Sequence, residues 1–196
     1  MRFVGLIGVL VLLAPFLCAA QSDADVRTHF YDMFGWTVTI PEEFDSVGKE
    51  EWERLQTRGM NALENTIGEE LTVRPEVVFI FRKGQFNYFE ANALPYDEIV
   101  DGDYLSGLQD VKKALCKTFQ NQIPGVKLDS ISSVETIDSL EFQKFILSIE
   151  FPNGLSMMFF HYCRLFGKVQ LTANIVYIDE RAGEKMLEAM KQSRFD

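Results

Sequence analysis

Residues 140–178 read LEFQKFILSIEFPNGLSMMFFHYCRLFGKVQLTANIVYI, three strand-like runs parted by Pro152-Asn153-Gly154 and Phe166-Gly167-Lys168. Successive side chains of a strand point to opposite faces, so a half-exposed strand alternates apolar with polar residues. Here both registers are apolar: Phe145, Leu147 and Ile149 share one face while Phe142 and Ile146 take the other. Such strands need cover on two sides. The Asn153-Gly154 pair predicts a type I′ turn, which requires positive φ at both central positions, so the neighbouring runs pair antiparallel.

Working outward, a further run near 126–136 ends at Ile137-Asp138-Ser139 and completes a four-strand meander over 126–136, 140–151, 155–165 and 169–178. Upstream, Leu105, Leu108, Val111, Leu115 and Phe119 fall on one arc at 100° per residue, which predicts a helix over 104–122 with Cys116 at the edge of that arc. Trp52, Leu55, Gly59, Leu63 and Ile67 predict another over 49–67, stopped by Gly68. A third, over 180–192, places Gly183, Met186, Leu187 and Met190 inward. Val77–Arg82 and Gln85–Ala91 read as a hairpin around Lys83-Gly84, and Gly35–Pro41 as a strand stopped by proline. Antiparallel strands with three amphipathic helices give an α+β fold, an antiparallel β-sheet sandwiched between α-helices.

The opening MRFVGLIGVLVLLAPFLCAAQ has one basic residue, Arg2, an apolar run from Phe3 to Leu17 and then small residues before Gln21. That is the pattern of a secretory signal peptide over 1–20, cleaved after Ala20, with a run shorter than the roughly 20 residues a spanning helix needs. A lipoprotein anchored through Cys18 is disfavoured by Leu17 and Phe16 just before it. Residues 21–196 then form one exported domain, periplasmic or extracellular, with no stable membrane insertion. Cleavage removes a positive charge from a chain that already carries −10. No basic stripe is present to neutralise phosphates, which argues against nucleic acid as a partner.

FGWTVTIPEEF (34–44) resembles the opening strand of the PsbP-like and DcrB-like group, and VQLTANIVYIDERAGEKMLEAMKQSRFD (169–196) resembles its closing strand, helix, serine and phenylalanine, here Ser193 and Phe195. The resemblance implies an antiparallel sheet between helical layers. The group includes an extrinsic photosystem II subunit, a Ran-binding nuclear import factor, a periplasmic lipoprotein and secretion-effector chaperones. It implies a non-enzymatic protein that binds or assists another protein or an envelope complex, and it carries no catalytic residue onto this chain.

The residues agree with that exclusion. His161 and Cys163 share a strand face and are the one pair able to suggest a nucleophile and its base, but an apolar mid-strand site raises a thiol's pKa instead of lowering it. Zinc needs four ligands at recognisable spacing, and His29 lies far from the other candidates in sequence. Asp97, Glu98, Asp101 and Asp103 lack the EF-hand frame and read as helix-capping acids. Nucleotide-binding, hydrolase and metalloprotease signatures are absent, so no cofactor, catalytic residue or metal site is expected. Phe79, Phe81, Phe86, Tyr88 and Phe89 read as core. In the alternative reading they line a cleft against a helix and hold a small apolar ligand. Finally, Cys116 and Cys163 are the two cysteines left after cleavage, and in an oxidising compartment an even count predicts a disulfide between them.

Overall fold

The computed structural model describes residues 27–71 and 73–196. The expected signal peptide and Cys18 therefore lie outside the described residues. The meander appears where its sequence places it, as β6 (Lys127–Ile137), β7 (Leu140–Glu150), β8 (Ser156–Phe166) and β9 (Val169–Tyr177). Ahead of it come β1 (Arg27–Tyr31), β2 (Trp36–Ile40), β3 (Asp45–Ser46), α1 (Lys49–Ile67), β4 (Glu76–Arg82), β5 (Tyr88–Pro95), α2 (Glu98–Asp101) and α3 (Tyr104–Gln122). It is followed by α4 (Glu180–Lys191) and β10 (Arg194–Phe195).

Seven strands form one antiparallel sheet in the order β3-β4-β5-β9-β8-β7-β6. One face is covered by α1 and α3, whose Trp52, Leu63, Val111, Leu115 and Phe119 pack on Phe145, Leu147, Ile149 and Phe159. The other face carries the expected helix together with an added layer. There α4 shares the cover with a second sheet, β1-β2-β10, in which β2 is the middle strand. Gly35–Pro41 is thus a strand of this small sheet. Trp36 is fully buried and stacks on Phe195 at 5.6 Å between ring centroids, while Phe195 also meets Phe142 at 5.3 Å and Phe166 at 5.8 Å. The Phe195 N–H donates to Asp138 Oδ2 at 2.6 Å, tying the end of the helical layer to the β6–β7 turn.

Two turns differ from expectation for identifiable reasons. Asp138 and Ser139 are the residues with paired positive φ, 47° and 66°, so the type I′ turn closes β6–β7. At Pro152-Asn153-Gly154 only Gly154 has positive φ, and its N–H bonds Phe151 O at 2.9 Å. Proline holds φ near about −65°, which suits the first central position of a type I turn and leaves Gly154 to form the bulge of a three-residue loop. In the β4–β5 hairpin the second strand begins at Tyr88, not Gln85, because Asn87 is engaged elsewhere. Its Oδ1 accepts from the Ile178 and Asp179 N–H groups at 3.1 and 3.0 Å, anchoring the hairpin to the start of α4.

Gly35 closes the small sheet. Its φ is +57°, and a Cβ there would lie 2.3 Å from Asp196 O, while Asp196 N–H donates to Gly35 O at 2.9 Å. Alanine at this position meets both left-handed backbone strain and a backbone clash. Gly35→Ala is therefore expected to lower the unfolding free energy by about 1–3 kcal/mol, read as an earlier urea midpoint at unchanged slope.

Candidate functional site

The alternation Gln170, Thr172, Asn174 in β9 sits on the face turned toward α1 and α3, and all three side chains are buried. In register beside them lie Glu90 and Asn92 of β5 and His161 and Cys163 of β8. Polar atoms in such a place need partners. His161 Nδ1 donates to Asn174 Oδ1 at 2.7 Å, and Asn174 Nδ2 donates to Glu90 Oε1 at 2.7 Å, giving a three-strand polar ladder. The direction follows from Asn174: its amide nitrogen is spent on Glu90, so its oxygen accepts and the imidazole proton sits on Nδ1. Burial drives Glu90 up to about 8, partly opposed by the amides of Asn174 and Asn92. Burial also drives His161 down to about 4, with the Asn174 bond opposing it. At neutral pH the ladder is mostly uncharged.

This resolves the His161–Cys163 question. The Cys163 thiol is pushed up to about 12 by burial, and its Sγ donates to Gln143 O at 3.7 Å while His161 is bonded to Asn174. The environment opposes a thiolate and an imidazolium together, so the pair has neither the contact nor the ionisation of a nucleophile and its base.

The expected Cys116–Cys163 disulfide is corrected by the structure: both are free thiols. Cys163 does lie on the face that α3 covers, but beside the first turns of the helix, near Leu105 and Leu108. Cys116 comes about two turns later, about 12 Å beyond Leu108 along the axis at about 1.5 Å per residue. A bridge needs Cα atoms within about 7 Å. Alkylation of denatured, unreduced protein is accordingly expected to modify both Cys116 and Cys163, whereas a bridge would leave both unmodified.

The acidic run is used in capping. The Asp97 carboxylate accepts the Ile99 N–H, Asp101 accepts the Asp97 N–H, and Asp103 caps α3 through the Ser106 N–H. Among the described residues no three His, Cys, Asp or Glu side chains converge as a ligand set. The hairpin aromatics Phe79, Phe81, Tyr88 and Phe89 are buried. Phe79 meets Trp36, Phe81 and Phe89 at 5.0–5.3 Å and belongs to the core, and Tyr88 packs edge-on to Trp52 at 5.6 Å.

An open cleft does exist elsewhere, between the first half of α3 and strands β6–β8, with a volume of about 270 Å³. Leu108, Phe145 and Cys163 make its apolar floor, and Leu105, Lys112, Ser132 and Val134 stand at its walls. Leu105, expected on the inward arc, is 53% exposed and Val134 52%. The preceding α2 turn adds Ile99, 95% exposed, and Val100, set among Asp97, Glu98 and Asp101. No sequence signal pointed here, because the cleft is made by where the first half of α3 lies against β6.

No protein-family model matches the chain. No curated protein matches it in sequence. Among solved structures it is similar to the solution structure of cyanobacterial PsbP (CyanoP) from Synechocystis sp. PCC 6803, at 10% identity over 92% of this chain and 98% of that one, with a TM-score of 0.57. The likeness establishes a PsbP-like α+β fold. Among the described residues, no helix is long and apolar enough to cross a membrane.

Glu90 makes the ladder pH-sensitive. A carboxyl raised in the fold from about 4.5 to about 8 contributes stability that is fully present below the lower value and is lost as pH rises through the upper one. The urea midpoint of the wild type is expected to fall between about pH 7 and pH 9, above the range in which the lowered His161 acts in the opposite sense. Glu90→Gln, which keeps the shape without the ionisation, should flatten that limb and exceed the wild type at pH 9 by an amount on the order of a few kcal/mol.

Proposed function

We propose that this chain is an exported, non-enzymatic protein of the PsbP-like and DcrB-like group that binds another protein or assists an envelope complex, and that the α3–β6 cleft is where it does so. The observation that carries the reading is the pair of aliphatic side chains left in solvent at that cleft, Leu105 and Val134, with Ile99 and Val100 also exposed on the preceding α2 turn. Burying one such side chain against a partner gains about 1.5–3 kcal/mol, and clustered exposed aliphatics mark interaction sites. The acids of the α2 turn, on a chain with net charge −10, suit a partner segment that combines aliphatic and basic side chains. The PsbP-like fold supports the reading by analogy of architecture. Export rests on the opening sequence, and intact mass is expected to show a chain starting at Gln21.

The test compares capture from envelope extract by wild-type protein and by the double variant Leu105→Asp, Val134→Asp. A partner held near one-to-one by the wild type and lost from the variant is expected, with thermal unfolding unchanged because both positions are exposed. Recovery of no partner, or equal recovery by both proteins, overturns the assignment.

A further inference from the structure

The two edges of the seven-stranded sheet are unequal. At one end β3 is two residues long and runs directly into α1. At the other end β6 is 11 residues long and pairs with β7 in unbroken register from Lys127↔Glu150 to Ile137↔Leu140. Short strands, prolines, bulges and central charges are the usual protections of an edge, and β6 has none of them between Ser130 and Val134.

Backbone alternation fixes what that edge offers. The type I′ turn closes on the hydrogen-bonded pair Ile137–Leu140, so odd-numbered β6 residues bond β7 and even-numbered ones turn their N–H and C=O outward. Ser130 shows it: its N–H is held at 2.8 Å by its neighbour's carboxylate, Asp129 Oδ1. On the face opposite α3, the aligned positions Phe81, Phe89, Ile175, Phe160, Ile146 and Ile131 form an apolar row across six strands. The first three are buried, Phe160 and Ile146 are half-buried, and Ile131 is 60% exposed at the open edge.

We infer that β6 pairs antiparallel with β6 of a second copy of this chain, with Ile131 opposite Ile131 across the two-fold axis. The choice of copy and register comes from charge. In this register Lys127 faces Glu135 of the second copy, and the reciprocal pair repeats it, while Leu128 faces Val134 and Ser130 faces Ser132. Sliding by one residue per strand, to put Ser132 opposite Ser132, would set Asp129 against Glu135 twice. Like charges directly opposite are destabilising. The chosen register also makes Ser130–Ser132 and Leu128–Val134 the hydrogen-bonded pairs, as the outward groups require. It needs Asp129 to release Ser130 and Lys127 to leave Glu150, its exposed partner at 2.7 Å. The apolar row then runs unbroken through both subunits. This pairing is independent of what the cleft binds, although it would bring Leu128 of the second copy beside Val134 at the cleft wall.

Sedimentation equilibrium of the purified protein is the first measurement, and a dimer is expected at tens of micromolar. Ser132→Pro removes one outward N–H without touching a β7 bond, and Ile131→Lys places like charges on the axis. Each should yield a monomer with unchanged thermal unfolding. Register is read by oxidation: Ile131→Cys should form an intermolecular disulfide, since directly opposed Cα atoms of a non-hydrogen-bonded pair lie about 4.5 Å apart. Ser133→Cys should not, being displaced by about four residues from its own copy. A monomeric wild type, a dimer indifferent to Ser132→Pro, or cross-linking at Ser133→Cys in preference to Ile131→Cys would each overturn the proposal. So would a monomer whose β6 instead takes a strand of another protein.

Discussion

Strand β9 is buried on both faces from Gln170 to Val176, and the rest of the architecture answers to that. A central strand without a wet side needs a layer on each face, and its two faces are chemically different. Leu171, Ala173 and Ile175 meet the apolar layer built by α4 and the small sheet. Gln170, Thr172 and Asn174 face α1 and α3, where no bulk water is present to serve their amides and hydroxyl. Asn174 finds its partners in His161 and Glu90 and Thr172 finds its own in the Asn92 carbonyl, so these residues are as much part of the core as the phenylalanines. The cost of this solution is visible in Glu90 and His161, each held in its uncharged form against its ordinary titration range. A paired amide between a neutral acid and a neutral imidazole fixes strand register more sharply than a row of alanines would, because a one-residue slip strands every polar group.

Much of this frame was legible because its signals are local. The α1 and α3 spans and the four meander strands follow from periodicity and from turn residues acting within a few positions of themselves. Apart from the Pro152 turn, whose cause is local, the departures come from interactions distant in sequence. Asn87 reads as a strand residue until Ile178 and Asp179 claim its side chain. Gly35–Pro41 looks like any sheet strand, and only its pairing with Arg27–Tyr31 and the returning Arg194–Phe195 shows that it is the middle of a second sheet. The alternation in β9 is the pattern of a strand with one face in water, so its buried ladder was hidden in plain view; the tell was Glu90 and Asn92 spaced identically in β5. The disulfide expectation took the right face of α3 and missed the distance along it, a coordinate that hydrophobic periodicity does not carry. His161 and Cys163 lie on a common face as expected, each bonded to a different partner.

The distribution of cover separates scaffold from surface. Around β4, β5 and β9 both layers are complete, with Trp36 and Phe195 stacked beneath α4. Toward β6 both layers thin out. The small sheet and α4 do not reach Ile131, and the first turn of α3 overhangs the sheet so that Leu105 and Val134 stay in solvent. Exposed aliphatic groups at one end of a well-covered sheet are costly in a monomer and useful in an assembly. The surfaces available for contact are therefore those the core leaves uncovered, at the end of the sheet farthest from the β3 edge.

Acidity sets the terms on which that end can work. A chain with net charge −10 repels its own kind at separations where the whole field is felt, and screening shortens that reach to about 8 Å at physiological salt. Like copies then meet only through a surface whose local charges differ from the average. The centre of β6 is such a place: Ser130–Val134 is uncharged, and the acids nearest it, Asp129 and Glu135, are accompanied by Lys127 and Lys144. The α2 turn, by contrast, presents Ile99 and Val100 inside the acidic field itself. The molecule thus carries two surfaces of different electrostatic character, a locally neutral sheet edge and an acidic apolar turn.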